Sequence, residues 1–232
     1  MSPAPQLPLA LRYPPDQRMD AFVAPPAGAI AQLQALATQV GADWIYLAGP
    51  SGVGKTHLAL AACAASEAAG RSAAFVPLRS AAGRLRDALD SFDDRALVAL
   101  DGLDAIAGNR DDEIALFEFH NRARAAGTGV LYTATAAPEA LDLSLPDLRS
   151  RLSQCTRVVL SPLDDEARRE VLRDRARRRG LALDEAAIDW LLRRRGRDLA
   201  TLTGLLDVLD RASLAAQRKV TVPFLREALG EK

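Results

Sequence analysis

Gly49-Pro50-Ser51-Gly52-Val53-Gly54-Lys55-Thr56 stands between an apolar run, Trp44 to Ala48, and an alanine- and leucine-rich run, His57 to Ala69. The first run reads as a buried strand and the second as a helix. Strand, glycine-rich loop and helix, in that order, form the setting in which such a loop holds phosphate. Gly49, Gly52, Val53 and Gly54 supply a backbone that can close around phosphate oxygens. The helix end behind them adds partial positive charge. Lys55 is placed to reach the β- and γ-phosphates, and the Thr56 hydroxyl to ligate Mg2+. Nucleotide binding is therefore the first expectation.

Composition narrows the rest. The 232 residues suffice for one large or two small domains, and 49% of them are hydrophobic, enough for a sizeable core. Basic and acidic residues balance at 30 each, so bulk charge makes no case for nucleic-acid or membrane binding. The two cysteines, Cys63 and Cys155, suit a reducing, cytoplasmic setting, and with His57 and His120 they show no metal-ligand spacing. Prolines interrupt the N-terminus where a signal peptide would need an apolar run, and no apolar stretch reaches the ~18 residues of a membrane span.

The pattern divides the chain into three parts. Residues 1–28 are proline-rich and read as an extended tail. Residues 29–162 begin with a helix over Ala29–Val40 and then alternate. Strands are expected at Trp44–Ala48, Ala73–Leu78, Ala96–Leu100, Gly129–Thr133 and Arg157–Leu160, with helices at Thr56–Ala69, Ser80–Leu89 and Glu113–Ala126. This alternation predicts an α/β fold with a parallel sheet covered on both faces. Residues 163–232 carry only helical patterns, at Asp165–Arg179, Asp184–Arg195, Asp198–Gln217 and Val222–Leu229, and read as a small all-helical lid. The arginine-dense stretches of that lid are matched almost one for one by Asp and Glu, which favours a solvated, ion-paired face over a nucleic-acid surface.

A phosphate loop needs an acid at the end of a neighbouring strand to hold the magnesium water shell, and Asp101 ends Ala96-Leu97-Val98-Ala99-Leu100. The next residue is Gly102, so the second acid that many related ATPases use to polarise water is missing. Slow hydrolysis by the isolated chain is expected. Thr135, with Thr133 as the less favoured choice, lies where a strand-end residue would sense the γ-phosphate. In Pro146-Asp147-Leu148-Arg149-Ser150-Arg151-Leu152, the two arginines read equally well as surface residues of a short helix or as a charge-neutralising finger.

Taken together, these stretches resemble the AAA+ module of the bacterial initiator DnaA, and more closely the Hda family of DnaA-related regulators. The likeness runs through Tyr46-Leu47, His57-Leu58, Ala61-Ala62-Cys63-Ala64, Val76-Pro77-Leu78, Leu145-Pro146-Asp147-Leu148, Ser150-Arg151-Leu152, Leu209-Asp210-Arg211-Ala212-Ser213, Ala216-Gln217-Arg218-Lys219 and Pro223-Phe224. The resemblance implies ADP or ATP with Mg2+, His57 beside the loop, and Phe22 near the adenine. It also implies docking on the β sliding clamp of DNA polymerase III through Gln6-Leu7-Pro8-Leu9-Ala10-Leu11, where Gln6, Leu7, Leu9 and Leu11 make the contacts. Proline favours an extended backbone there, and alternate leucines can fill apolar pockets.

By the same resemblance, Arg151, with Arg149 as a possible assistant, reaches ATP held by DnaA and converts DnaA–ATP to DnaA–ADP. A cytoplasmic homodimer or higher oligomer is implied, with DNA contacted only through the clamp. No counterpart of the initiator's DNA-reading domain is expected after the lid, so direct sequence-specific DNA reading is not expected. Three positions depart from the pattern: Gly102, Thr135 where the initiator has an aspartate, and Ala200 where the family carries its second-sensor arginine. A helicase loader of the DnaC type with its own hydrolytic cycle is the alternative reading.

Overall fold

The computed structural model describes residues 18–194, 204–206, 208–209 and 220–228. Its centre is one five-stranded parallel sheet made of β1 (Ile45–Ala48), β2 (Ala73–Pro77), β3 (Leu97–Asp101), β4 (Gly129–Ala134) and β5 (Thr156–Val159), ordered β2-β3-β4-β1-β5. All four residues of β1 and all six of β4 are buried. Both faces of the central strands are covered, so they are continuous apolar runs rather than alternating ones. Ala48 pairs with Ala134, and Leu100 with Tyr132. That register brings the exits of β1, β3 and β4 to one edge, where the glycine loop, Asp101 and Thr133 meet.

Helices α1 (Ala29–Thr38), α2 (Lys55–Ala68), α3 (Leu78–Ala81), α4 (Leu85–Leu89), α5 (Arg110–Ala126) and α6 (Pro146–Ser153) surround the sheet. The helix expected over Ser80–Leu89 is two short ones. The chain breaks at Gly83, which has a φ of 79°. The Asp112 carboxylate holds the break open by accepting hydrogen bonds from Gly83 N at 2.7 Å and Leu85 N at 3.2 Å. Helix α5 starts earlier than expected because Asn109 caps it, its side chain accepting from Asp111 N and Asp112 N.

The segment expected as an extended tail enters the described residues at Arg18. From there it lies on the α/β domain, with a 3-10 turn over Met19–Ala21, Met19 buried, and Phe22 packed against the core. The stretch Gln6–Leu11 lies outside the described residues.

A second, separate apolar cluster joins α7 (Asp165–Arg178), α8 (Glu185–Arg194) and α9 (Val222–Ala228). It includes Leu172, Ile188, Trp190, Leu191, Val220 and Phe224. Residues 204–206 and 208–209 are also helical, and Leu206 and Leu209 belong to this cluster. The rest of the helix expected over 198–217, including Ala200, lies outside the described residues. On α7 the arginines are largely locally paired: Arg168 with Asp165, Arg169 with Asp189, Arg173 with Glu185 and Arg178 with Asp174. Their charge is compensated on the same surface, as the sequence balance predicts. Among the described residues, no helix is long and apolar enough to cross a membrane.

One buried polar group has a measurable consequence. His120 on α5 is hydrogen-bonded through Nδ1 to the Tyr132 hydroxyl at 3.0 Å and meets the Trp44 ring edge-on at 4.6 Å. Burial, with Arg124 and Arg151 adding to it, lowers its pKa from 6.5 to about 4. A histidine held neutral in the fold takes a proton more readily once the chain unfolds. Its stability contribution is complete above pH 6.5 and is lost as the pH falls toward 4. Denaturant titration is expected to give an unfolding free energy about 2 kcal/mol lower at pH 5 than at pH 7. A His120→Gln variant should lose most of that slope, and equal slopes in the two proteins would remove His120 as its source.

Candidate functional site

The glycine loop joins β1 to α2. Gly49 is required by close approach to backbone, and Gly54 by its φ of 95° and a crowded ring. A Cβ on Gly49 would lie 2.4 Å from the Leu160 carbonyl oxygen, and one on Gly54 2.6 Å from Cε2 of Phe22. The loop is thus pressed between the exit of β5 and the N-terminal segment. The Lys55 ammonium, half-buried at the start of α2, donates to the carbonyls of Gly49 at 2.6 Å and Pro50 at 2.8 Å. Burial lowers its pKa, and the Asp104 and Asp101 carboxylates offset part of that effect.

Across the sheet edge, the Thr56 hydroxyl donates to Asp101 Oδ2 at 2.8 Å, and the Thr133 hydroxyl donates to Asp101 Oδ1 at 2.7 Å. Thr133 also accepts from Gly102 N at 2.9 Å. Thr56 and Asp101 are therefore adjacent, with the aspartate's second oxygen oriented from behind. A magnesium ion held by one hydroxyl, the waters of a carboxylate and phosphate oxygens fits this donor set. Among the described residues, no group of three or more His, Cys, Asp or Glu forms an all-protein metal cage.

The two threonines weighed as phosphate sensors have divided partners. Thr133 is fully buried and belongs to Asp101. Thr135 lies beyond the strand and gives both its N–H, at 2.9 Å, and its hydroxyl to Asp104. Asp104, in the 3-10 turn Leu103–Ala105, is thus joined to the exit of β4.

A cavity of about 360 Å3 beside the loop is lined by Phe22, Val53, Leu160, Pro162, Leu163 and Ala167, among others. Its walls are mostly apolar, and its size suits the base and sugar of a nucleotide whose phosphates lie in the loop. His57 ties the neighbouring parts together. Its Nε2 is 2.9 Å from the Arg18 carbonyl oxygen, its Nδ1 is 3.3 Å from an Arg175 guanidinium nitrogen, and its ring is 5.7 Å from that of Phe22. A ring with its proton on Nε2 donates to the Arg18 carbonyl and accepts from Arg175 at Nδ1. Sequence reasoning places His57 beside the loop but gives no sign of Arg175, which approaches from the last turn of α7, 118 residues away.

Helix α6 separates the two arginines of Arg149-Ser150-Arg151. Leu148 and Leu152 are buried on its inner face. Arg149 turns inward and donates to the Leu143 carbonyl, which anchors the helix to its own lead-in loop. Arg151 is exposed, and its guanidinium has no hydrogen-bond or ion-pair partner among the described residues. The structure thus brings Phe22, Gly49, Gly52, Val53, Gly54, Lys55, Thr56, His57 and Asp101 to one region. Thr135 sits at the rim on Asp104, and Arg151 stands apart on α6.

A parallel sheet in this order, with a phosphate loop after β1 and an acid ending β3, defines a P-loop ATPase module with a helical lid. Residues 45–162 match the family model of ATPases associated with various cellular activities, and the chain belongs to that AAA family. Residues 165–229 match the model of the Hda lid domain, so the helical part of this AAA+ chain is similar to the lid of Hda.

The fold is similar to domain III of the Thermotoga maritima replication initiation protein DnaA. The TM-score is 0.79 at 19% identity, covering 94% of this chain and 97% of that one. AMPPCP-bound DnaA from Aquifex aeolicus aligns with a TM-score of 0.68 at 20% identity, over 85% of this chain and 66% of that chain. The Thermotoga maritima RuvB Holliday junction branch migration motor aligns with a TM-score of 0.65 at 16% identity, over 94% and 72%.

Proposed function

We propose that this chain regulates replication initiation by binding adenine nucleotide and the β sliding clamp and by promoting hydrolysis of DnaA-bound ATP. Arg151 is the finger, lent in trans, and the outcome is regulatory inactivation of DnaA. The observation that carries this reading is the division of labour on α6. Arg149 is used to anchor the helix, while Arg151 is presented outward with no charge partner among the described residues. A guanidinium suits this task because its fork can neutralise charge spread over phosphoryl oxygens.

Several features support the rest of the reading. The lid matches the Hda lid, and an aligned DnaA is described as bound to AMPPCP. The cavity and loop suit an adenine nucleotide, with Phe22 and Val53 at the base and sugar end, His57 packed behind Phe22, and Gly49, Gly52, Gly54, Lys55 and Thr56 at the phosphates. Magnesium, held by Thr56 and through water by Asp101, would supply charge neutralisation on those phosphates. Gly102 offers no side chain to orient a water, which weighs against a helicase-loader ATPase with its own cycle.

Clamp docking rests on Gln6, Leu7, Leu9 and Leu11. Retention on immobilised β clamp is expected to fall at least about tenfold with Gln6→Ala plus Leu9→Ala, as loss of an anchor and its neighbour does in a short-peptide interface. Equal retention of variant and wild type would remove the clamp from the proposal. The finger itself is tested by hydrolysis of DnaA-bound ATP in the presence of clamp, DNA and this chain.

A further inference from the structure

The lead-in to α6 is held by a buried carboxylate that a finger role alone does not require. Glu113, in the first turn of α5, is 0% exposed. A carboxylate that deep is costly unless its oxygens are satisfied. Here no cation pairs with it among the described residues, and four hydrogen bonds take that place. Oε1 accepts from Gly108 N at 2.8 Å and Ser144 N at 3.0 Å. Oε2 accepts from the Ser144 hydroxyl at 2.9 Å and Leu145 N at 2.7 Å. The start of α5 adds the favourable end of a helix dipole. Burial alone would raise the Glu113 pKa, but the bonds from Ser144, Gly108 and Leu145 outweigh it and hold the group below the usual carboxylate range.

These four donors come from the two segments that matter. Gly108 closes the stretch that follows Asp101 and Asp104. Ser144 and Leu145 open α6, whose N-terminus has no side-chain cap of its own. The two segments lie side by side, since a Cβ on Gly108 would be 3.8 Å from the Asp142 carbonyl oxygen. Among the described residues, Glu113 is therefore the one side chain that bonds both the segment leaving the nucleotide edge and the base of the finger helix. Arg151 lies six residues beyond Leu145, a lever of roughly 12 Å once the side chain is included. A tilt of about 5° at the helix base moves the guanidinium about 1 Å, a displacement that can cost about 100-fold in rate.

We propose that Glu113 is the positioning residue for Arg151, fixing the base of α6 against the nucleotide edge so that the finger meets its target in register. This rests on the finger reading above. Glu113→Gln keeps the shape but replaces one acceptor oxygen with an NH2 that faces two donors.

In the assay of DnaA-bound ATP hydrolysis, titrated to saturation with this chain, the plateau rate of Glu113→Gln is expected to fall about 10- to 100-fold. The half-saturating concentration and the nucleotide affinity should stay at wild-type values. Ser144→Ala, which removes only the hydroxyl bond, should lose a few-fold and guards against a misfolded Glu113→Gln. In an Arg151→Lys background, whose flexible side chain is less dependent on register, Glu113→Gln should cost much less. A purely structural defect would cost the same factor in both backgrounds, and that result overturns the inference. So does a wild-type plateau in Glu113→Gln and Ser144→Ala while Arg151→Ala is inactive, which sinks the positioning role and leaves the finger standing. A fully active Arg151→Ala sinks both.

Discussion

Arg151→Ala is expected to abolish stimulated hydrolysis of DnaA-bound ATP, lowering it by about 1,000-fold or more, close to the unstimulated rate. That corresponds to about 4 kcal/mol of transition-state stabilisation. The size follows from what is removed: a planar cation whose donors have no partner among the described residues, on a helix anchored by Arg149, Leu148 and Leu152 rather than by Arg151 itself. Because Arg151 is exposed and bears none of the fold, the variant should match wild type in thermal stability, in nucleotide affinity and in retention on the clamp. Arg151→Lys keeps the charge but loses the fork, and should retain a small fraction of the activity. Unchanged stimulation in Arg151→Ala would move the finger elsewhere on the chain.

Lys55→Ala is expected to weaken nucleotide binding about 10- to 100-fold, the usual worth of a charge-assisted hydrogen bond to phosphate. The ammonium is held at the loop by the Gly49 and Pro50 carbonyls, and nucleotide binding exchanges those bonds for phosphate oxygens. Thermal shift gives a clear readout. At ligand concentrations near 100 times the wild-type Kd, bound nucleotide stabilises the fold by about 2.7 kcal/mol. A 100-fold weaker variant gains only about 0.4 kcal/mol. For a chain of this size that is a shift of roughly 5–10 °C reduced to about 1 °C. A variant with the full shift would place the phosphates somewhere other than this loop.

Much of this was legible in residue order because the central strands are short continuous apolar runs and the loop is punctuated by glycines that packing requires. Trp44–Ala48 and Gly129–Thr133 need no alternation to be read, since both their faces are covered. Asp101 is legible for a related reason: an acid ending such a run has few other places to go.

Side-chain choices one or two residues apart were not legible. Thr133 lies inside the end of β4 and Thr135 just past it, and Thr133 bonds Asp101 while Thr135 bonds Asp104. Which threonine does which depends on where the strand bends away, and a one-residue uncertainty reverses the answer. Arg149 and Arg151 differ in the same way, by helical phase. Phase becomes readable only once Leu148 and Leu152 are known to face inward. The break at Gly83 is hidden because its cause, the Asp112 carboxylate, lies 29 residues away. Glu113 is hidden more completely, since three of its four partners are backbone N–H groups, which carry no residue identity.

The measurement that bears most directly on the proposal is the structure of this chain bound to DnaA carrying a non-hydrolysable ATP analogue, with clamp and DNA present. The account predicts the Arg151 guanidinium about 3 Å from γ-phosphate oxygens of the nucleotide held by DnaA, with α6 anchored through Glu113 and Arg149. An Arg151 side chain directed into solvent in that complex, with another cation on the γ-phosphate, would contradict it.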